Sequence, residues 1–379
     1  YMSKRIFTVP DIYTEFRCKA GACRKTCCHG WHITLTMKEY YALIGLDCSP
    51  ELRRRLDGGV YMLDMPKSER YAEFAKNYIG DCKMHGDDGL CTIQCECGED
   101  VLPSVCRYYP RSPKTLHASE CSMSASCEEV CEQLMKRREK MTFKPVELEF
   151  KYELPEAVDS FVTRVYGRIR DVLFDVMQDR TIPFTSRLQK LIKAAQAISE
   201  PVKKQSETEL EAAIESCTHP FEPNIYSSPD KDALNAVKHI FSRLGERFPL
   251  DKYTECMDNI TFAEYEEKEK KFREAHLDFD IMLEQLFVNH VFYMGFPFVS
   301  GYGSGLDVYS SAVSLVTLYA VLKVCAAVMM NDGSFDELSD VASDIFKMVE
   351  TSNYYLCAAA LAHETGFDTP DKLSSLCSL

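Results

Sequence analysis

The chain has 379 residues, of which 46% are hydrophobic and 27% charged, so its composition is that of a folded globular protein rather than a disordered chain. The 44 basic and 58 acidic side chains give a net charge of −14, which argues against a protein that binds nucleic acid through a positive surface. Residues 1–150 carry 22 basic and 22 acidic side chains, so the whole acidic excess lies in residues 151–379.

In chain order, the first part of the sequence contains short elements between turn residues. Residues 31–36 are typical of a short strand, and Thr36 is placed to cap a helical segment over residues 38–56. Residues 128–140 predict a helix that leaves this region. Residues 141–154 alternate apolar and polar side chains, which predicts an edge strand or an extended connector and marks the best domain boundary.

Beyond that boundary, apolar side chains recur with the period of an α-helix, beginning with one continuous stripe over residues 157–177. Further helices are predicted over residues 185–198, 207–216, 230–244, 262–276, 279–292, 306–330, 335–350 and 352–364. The predicted fold class is therefore mainly α, with a cysteine-rich domain over residues 1–145 and a helical domain over residues 146–379.

The longest uncharged apolar stretch runs from Val308 to Leu322 and contains four hydroxyl-bearing side chains. A bilayer span needs about 20 predominantly apolar residues, so this stretch predicts a buried core helix and no membrane span. The chain does not open with the apolar segment of a secretory signal, and we expect a cytoplasmic protein.

Cysteine is the most unusual component of the sequence. There are 18 cysteines, and 13 of them lie between Cys18 and Cys131. In a reducing cytosol, clustered cysteines bind metal more often than they form disulfides, and soft thiolates select zinc or an iron–sulfur cluster. The irregular spacing suits a 4Fe–4S cluster at least as well as a tetrahedral zinc site, and the adjacent Cys27 and Cys28 cannot easily bind the same ion. A purely structural metal site and a redox or catalytic cluster are equally open at this stage.

Several motifs together resemble the bacterial flagellin lysine-N-methylase (FliB) family. They are CxxxxCxxxCCxGWxI at residues 18–33, CxIQ at 91–94, VCRYYPR at 105–111, SCEEV at 126–130 and EQLFVNHVFYMGFPF at 284–298. The resemblance runs from about residue 18 to about residue 328 and is sparse between residues 145 and 280.

The resemblance implies that metal is bound by the matched cysteines, which are Cys18, Cys23, Cys27, Cys28, Cys82, Cys91, Cys106 and Cys127. Four of them are expected to hold one 4Fe–4S cluster, with zinc as the alternative. The family further implies methyl transfer from S-adenosylmethionine to lysine ε-amines of flagellin. We expect a non-radical displacement, because the Cys-x3-Cys-x2-Cys triplet of radical enzymes is absent from the sequence.

Two carboxylates are the candidate catalytic groups, because they flank the apolar segment of the resemblance and could contact a substrate amine. They are Glu284 and Asp307, for which a helix cap or a surface charge is the favoured alternative. Residues 301–305 read GxGxG, but no strand precedes them, so a helix–helix loop is favoured over a donor-binding loop.

The candidate cofactor-binding residues are Arg107, Tyr108, Tyr109 and Asn289. The first three follow Cys106, where a guanidinium could contact a carboxylate and an aromatic ring could stack on adenine or a sulfonium. A packed turn beside the metal is an equal alternative for these three, and a satisfied core group is the alternative for Asn289.

Two other functions compete with methyl transfer. One is a metal- or cluster-binding protein without catalysis, such as a redox sensor or a chaperone. The other is a cluster-dependent oxidoreductase. Binding of the methyl donor distinguishes the predicted methylase from both.

Overall fold

The structure, a computed structural model, describes residues 4–152, 154–224, 229–246, 250–299, 305–330 and 333–379. The predicted mainly-α class is confirmed. The helices of the described residues are α1 (Met37–Ile44), α2 (Pro50–Gly59), α3 (Thr92–Cys97), α4 (Ser104–Tyr108), α5 (Glu128–Lys136), α6 (Phe161–Met177), α7 (Phe184–Lys203), α8 (Glu207–Ser216), α9 (Lys231–Gly245), α10 (Asp251–Asn259), α11 (Phe262–Ala275), α12 (Phe279–Met294), α13 (Val308–Met329), α14 (Phe335–Glu350), α15 (Tyr354–Glu364) and α16 (Pro370–Leu376).

Two small sheets lie in the N-terminal part of the chain. Their strands are β1 (Arg5–Pro10), β2 (Thr34–Leu35), β3 (Val60–Lys67), β4 (Arg70–Phe74), β5 (Arg111–Lys114), β6 (Glu120–Met123) and β7 (Phe143–Leu148). The four-stranded sheet has the order β5-β6-β1-β7, and the three-stranded sheet has the order β2-β4-β3. Strand β1 runs parallel to β6 and antiparallel to β7, which forms the predicted edge strand. Thr36 caps α1 as expected, in a capping box with Glu39.

The buried apolar side chains form two clusters. The larger cluster joins β1, β6 and α5 to the helices from α6 onward. The smaller one consists of Ile33, Leu35, Leu43, Leu52, Leu56, Ala72, Phe74, Cys82, Met84 and Ile93. Strands β1 and β6 and helix α5 thus share a core with the C-terminal helices. Residues 33–93 pack around the smaller core. The predicted boundary at residue 145 stays a prediction.

Helix α13 is the centre of the larger core and packs against α7, α11, α14 and α15. Among the described residues, it is the one helix long and apolar enough to cross a membrane by length and composition, with a mean hydropathy of 2.1. Since 94% of its apolar window is buried inside the fold, it has the position of a core helix, as predicted. Its neighbour α12 is also buried on most of its surface and contacts α5 and β6.

Gly295 ends α12 in the left-handed conformation, with φ +67 and ψ 34. A Cβ atom added there would meet no atom closer than 3.9 Å, so an alanine is penalised by its backbone conformation alone. We expect Gly295→Ala to lower the free energy of unfolding by about 1–2 kcal/mol. Gly167 in the middle of α6 is the matched control, because a Cβ there meets nothing within 4 Å. Gly167→Ala should instead raise the free energy of unfolding by roughly 0.5–1 kcal/mol. Urea denaturation measures both variants, and an equal loss of stability in the two would contradict this explanation.

Candidate functional site

Glu284, one of the two predicted catalytic carboxylates, is fully buried in α12 at the centre of an ion-pair network. Its oxygens accept hydrogen bonds from Arg180 Nε at 2.9 Å, Arg180 Nη2 at 2.8 Å and Arg187 Nη1 at 2.6 Å. Arg187 is buried as well and also donates to the carbonyl groups of Met177 and Ile182. Both carboxylate oxygens are therefore occupied by guanidinium groups, which is the geometry of a structural ion pair. The catalytic role of Glu284 stays a prediction that this geometry does not support.

Asp307, the second predicted carboxylate, is the N-cap of α13. It accepts a hydrogen bond from Ser310 N at 2.7 Å and forms an ion pair with Lys203 Nζ at 3.1 Å. Partial burial opposes ionisation, but these contacts hold the pKa of Asp307 below its usual value. The favoured alternative, a helix cap, is what the structure contains. Residues 301–304 of the neighbouring GxGxG pattern lie outside the described residues.

Two of the predicted cofactor-binding residues lie at the C-terminal end of α4 and contact Asp100 and the residues that follow β7. Arg107 forms an ion pair with the exposed Asp100 at 2.5 Å. The ring of Tyr108 packs edge-on against Phe150 with centroids 5.0 Å apart, and its hydroxyl accepts a hydrogen bond from Lys151 N at 2.8 Å. These contacts are those of a packed turn, the alternative that the sequence left open.

The other two predicted cofactor-binding residues meet at the turn that connects β6 to α5. The hydroxyls of Tyr109 and Ser126 are 3.1 Å apart, and the Tyr109 ring packs edge-on against Trp31. Asn289 is fully buried and donates from Nδ2 to the carbonyl of Met123 at 2.8 Å. Its Oδ1 atom is buried without a hydrogen-bond partner among the described residues. This acceptor can take a hydrogen bond from a bound molecule or a water.

Five side chains lie around this turn and the neighbouring part of α12, and we call this cluster the Lys114 crevice: Tyr109, Lys114, Asn289, Tyr293 and Glu350. Lys114 Nζ lies 4.5 Å from the centre of the Tyr293 ring. Tyr109, Lys114 and Tyr293 keep partial access to solvent, whereas Asn289 and the side chain of Glu350 have none. The first three residues therefore lie at the accessible side of the cluster, and the last two, which we call its floor, lie beneath the surface.

The turn at residues 124–126 binds the carboxylate of Glu350. The carboxylate accepts hydrogen bonds from the hydroxyl of Ser124 and from the backbone N–H groups of Ala125 and Ser126, each of these two at 3.3 Å. The ring of His290 lies 3.5 Å from the carboxylate through Nδ1, and burial lowers the pKa of His290. The histidine is therefore neutral at pH 7, and Glu350 has neutral hydrogen-bond donors rather than a bonded cation.

The side-chain amine of Lys114 has no hydrogen bond or ion pair to any described residue, and its polar contact is with the face of Tyr293. Burial lowers the pKa of Lys114 to about 8, although the carboxylates of Glu350 and Glu120 act in the opposite direction. A larger share of this amine than of an ordinary lysine is therefore neutral at physiological pH, although the protonated form still predominates. The crevice combines this amine, an anchored carboxylate and aromatic side chains in one partly accessible site.

A second concave site lies at the other end of α12. It is a cavity of about 570 Å³ lined by Asp280, Tyr319 and the buried Lys323, among others. Asp280 and Tyr293 are 13 positions apart on one helix, which is about 20 Å at 1.5 Å per residue. The cavity and the Lys114 crevice therefore lie near opposite ends of α12.

The eight matched cysteines are all free thiols, and none of them forms a disulfide among the described residues. In the same part of the chain, no three His, Cys, Asp or Glu side chains converge closely enough to enclose a metal ion. Of the three histidines near the cysteines, His29 pairs with Asp81 and His32 with Glu73. Only His85 among these three keeps a buried nitrogen, Nε2, that lacks a partner in the described structure. The predicted metal role of the cysteines stays a prediction.

Sequence reasoning missed Lys114 and Glu350 and gave Tyr293 no role of its own. Tyr293 lies inside the segment at residues 284–298 that carries the family resemblance, so a motif could have indicated it. Lys114 and Glu350 carry no local signal, because a strand residue and the last residue of a helix come together only through tertiary packing.

Comparisons with known proteins give a consistent result. A family model described as the FliB lysine N-methylase C-terminal domain matches residues 170–376. A lysine-N-methylase of Salmonella typhimurium is 29% identical over 138 residues, which is 35% of this chain and 33% of that protein. A flagellar biosynthetic protein FliU of Salmonella muenchen is 28% identical over 138 residues, which is 35% of this chain and 79% of that protein.

The lysine-N-methylase of Salmonella choleraesuis gives the same identity and coverage as the Salmonella typhimurium protein. The match thus spans 33% of the length of these two curated relatives. No solved structure matches the chain.

Proposed function

This chain belongs to the FliB lysine N-methylase C-terminal domain family, and we propose that it transfers the methyl group of S-adenosylmethionine to lysine ε-amines of flagellin in the cytoplasm. The names of the relatives support the reaction class and a flagellar substrate. The observation that supports this proposal most directly is the Lys114 crevice, because the amine of Lys114 already lies there against the ring of Tyr293.

The residues of the crevice fit two cationic reactants. Aromatic faces attract an ammonium or a sulfonium, and a carboxylate adds a favourable field. Tyr109 and Tyr293 supply the faces, and Glu350 supplies the carboxylate on the floor. When bound, S-adenosylmethionine supplies an electrophilic methyl group on its sulfonium. The unpartnered Oδ1 of Asn289 is an acceptor for an N–H or O–H group of either reactant.

The reaction requires a substrate amine that has lost its proton. We assign the proton acceptor to Lys114, since a neutral amine with a pKa of about 8 can take a proton from the substrate ammonium near physiological pH. The substrate nitrogen then forms the bond to the methyl carbon, and the carbon–sulfur bond breaks with its electrons left on sulfur. The methylated amine carries the positive charge, and the proton on Lys114 passes to solvent through the open side of the crevice.

The proposed cofactor of the cysteine-rich region is a metal centre held by thiolates, either a 4Fe–4S cluster or zinc. The residue types suit such a group, since the eight matched cysteines are free thiols and His85 adds an unpartnered nitrogen, but their side chains do not converge on one position in the described structure. Cys127 directly follows Ser126 of the crevice turn, so it is the matched cysteine next to the crevice in sequence.

The direct test is methylation of purified flagellin by this protein with S-adenosylmethionine, followed by mass spectrometry of the flagellin peptides. We expect mass gains of one methyl group on lysines. Donor binding is measured separately by calorimetry. A preparation with metal that neither binds the donor nor modifies flagellin would instead favour the alternative of a non-catalytic metal-binding protein, which the cluster of free thiols also supports.

A further inference from the structure

Lys114 lies directly opposite a carboxylate in the hairpin of β5 and β6. Its antiparallel register partner is Glu120, and the side chains of such a pair point to the same face of the sheet. Opposite charges at directly opposed positions usually interact, because their Cβ atoms are only about 4.5–5.5 Å apart. The amine of Lys114 nevertheless forms no ion pair with Glu120 or with any other described residue, and it lies over the ring of Tyr293. The cross-strand pair that the sheet favours is therefore not made.

Helix α6 binds the carboxylate of Glu120 instead. Arg170 Nη1 forms an ion pair with its Oε1 atom, and the hydroxyl of Tyr166 donates to its Oε2 atom at 2.9 Å. Glu120 is 4% exposed, so these two groups take the place of water around the carboxylate. Tyr166 and Arg170 are four positions apart on α6, which places them on the same face of the helix. Both carboxylate oxygens thus have a donor from α6.

Aromatic contacts keep Arg170 in this position. Its guanidinium carbon lies 5.5 Å from the centre of the Tyr166 ring and 5.7 Å from the centre of the Phe174 ring. Such contacts between a guanidinium and an aromatic face are attractive. Tyr166 is itself only 1% exposed. Arg170 is therefore fixed by its neighbours, and it holds the carboxylate of Glu120 on α6 and away from Lys114.

A buried lysine of α13 shows the more usual arrangement. Lys323 is 6% exposed and forms an ion pair with Glu269 at 3.0 Å, and Arg273 binds the same carboxylate at 2.6 Å. The lysine and the arginine share one anion there, as expected for charges that are removed from water. At Glu120, by contrast, the second donor beside the arginine is a tyrosine hydroxyl, and Lys114 is left out.

The other titratable groups near Lys114 do not replace Glu120 as an ion-pair partner. They are Glu350 of α14, His290 and Tyr293 of α12, Cys121 of β6 and His117 of the β5–β6 turn. Burial lowers the pKa of the two histidines and raises the pKa of the tyrosine and of the thiol, so these four groups are neutral at pH 7. The carboxylate of Glu350 is already bound by the turn at residues 124–126. Glu120 is thus the anion whose orientation decides whether Lys114 is paired.

We propose that Arg170 is a positioning residue of the methyl-transfer site, which binds Glu120 on α6 and so keeps the amine of Lys114 without an ion-pair partner. Tyr166 acts with it through its hydrogen bond to the same carboxylate. The inference deepens the proposed function and rests on the role of Lys114 as its proton acceptor. Arg170 acts through Glu120 rather than on a reactant. Without the guanidinium, the carboxylate is free to pair with Lys114, and an opposite charge at that distance stabilises the ammonium form.

The test measures how readily Lys114 loses its proton, and it uses neither methyl donor nor flagellin. The folded full chain is treated with a trace of acetic anhydride at a series of pH values, and the label on Lys114 is quantified by mass spectrometry of its peptides. Only a neutral amine attacks the anhydride. A bond forms between Nζ and the acyl carbon, acetate leaves, and the proton of the amine passes to solvent. The pH dependence of labelling therefore reports the protonation of Lys114 in the folded protein.

In the wild type, labelling of Lys114 should reach half of its maximum near pH 8. Arg170→Met should raise this midpoint by about one pH unit or more, the usual effect of an opposite charge nearby, and so slow labelling at pH 8 by about 5-fold or more. Arg170→Met/Glu120→Gln should be labelled like the wild type, because the anion that would pair with Lys114 is gone. Arg168→Met is the matched control. It removes the same charge from the same helix, but Arg168 forms its ion pairs with α8, so the labelling profile should stay unchanged.

An unchanged midpoint in folded Arg170→Met overturns the proposal, and so does a shift that persists when Glu120 is also replaced. If Arg170→Met does not fold, Tyr166→Phe gives the answer, since it removes a single hydroxyl from the surroundings of Glu120. Labelling at pH 8 should then be slower than in the wild type, and an equal rate overturns the proposal. Inactivity toward flagellin together with the expected labelling would contradict only the proposed methyl transfer.

Discussion

Replacing Glu284 by glutamine is expected to lower the free energy of unfolding by about 3–5 kcal/mol, the usual cost of removing one partner from a buried ion pair. The variant leaves Arg187 buried and Arg180 partly buried without their shared anion. These arginines come from α7 and from the turn between α6 and α7, so the loss would loosen the packing of these elements on α12. Urea denaturation monitored by circular dichroism measures the change.

The same experiment separates a structural role of Glu284 from the candidate catalytic role that the sequence suggested. Asp307→Ala is the natural comparison, because this residue is partly exposed and caps α13, where replacement of a cap by alanine costs about 1 kcal/mol. Methylation should be measured at a temperature at which each variant is folded. If Glu284→Gln is as stable as the wild type but fails to methylate, the carboxylate acts on the substrate and the structural account is wrong.

The helical part of the fold could be predicted because its apolar residues follow the period of a helix over long segments. The regular alternation of apolar and polar side chains over residues 141–154 predicts an edge strand or an extended connector, and β7 lies there. The hairpin of β3 and β4 was missed, because the apolar side chains of β3 do not alternate between a core and a solvent face. Met65 in this strand is 86% exposed, so its pairing depends on tertiary context rather than on a local pattern.

Only part of the candidate site could be predicted from the sequence. Tyr109 and Asn289 were candidates because they lie in motifs of the family resemblance, and both belong to the crevice. Glu284 was selected on the same ground, but its partners lie about 100 positions earlier in the chain, at Arg180 and Arg187. A carboxylate in an apolar helix has the same sequence signature whether it meets two arginines or a substrate, and only packing decides between them.

Packing also explains how the cysteine-rich region and the crevice are connected. The turn at residues 124–126 supplies the hydrogen bonds to Glu350, and the next residue is Cys127, one of the matched cysteines. Helix α5 in turn contacts α12 and α14, which carry Tyr293 and Glu350. A change in the position of Cys127 would thus reach Glu350 through the backbone of residues 124–126.

Lys114→Met is expected to reduce the methylation rate constant by about 100- to 10,000-fold, the typical contribution of a positioned proton acceptor. In the wild type the rate should rise with pH and level off above about pH 8, since the amine must be neutral to accept a proton. A free substrate lysine would instead place this rise near pH 10, because its own pKa is about 10.4. Lys114→Arg should be as slow as the methionine variant, because a guanidinium stays protonated. Lys144→Met, at an exposed lysine of β7, is the matched control and should retain the wild-type rate and profile.

A stability measurement distinguishes this role from simple damage to the fold. The pKa of Lys114 falls from 10.5 in the unfolded chain to about 8 in the folded protein, so the unfolded state binds more protons between these values. The wild type therefore gains stability as the pH rises through this window, whereas Lys114→Met does not. The stability of the variant relative to the wild type should fall by roughly 2 kcal/mol between pH 7 and pH 9.5. A constant difference across this range would mean that Lys114 is charged in the folded protein, and a charged amine cannot be the proton acceptor.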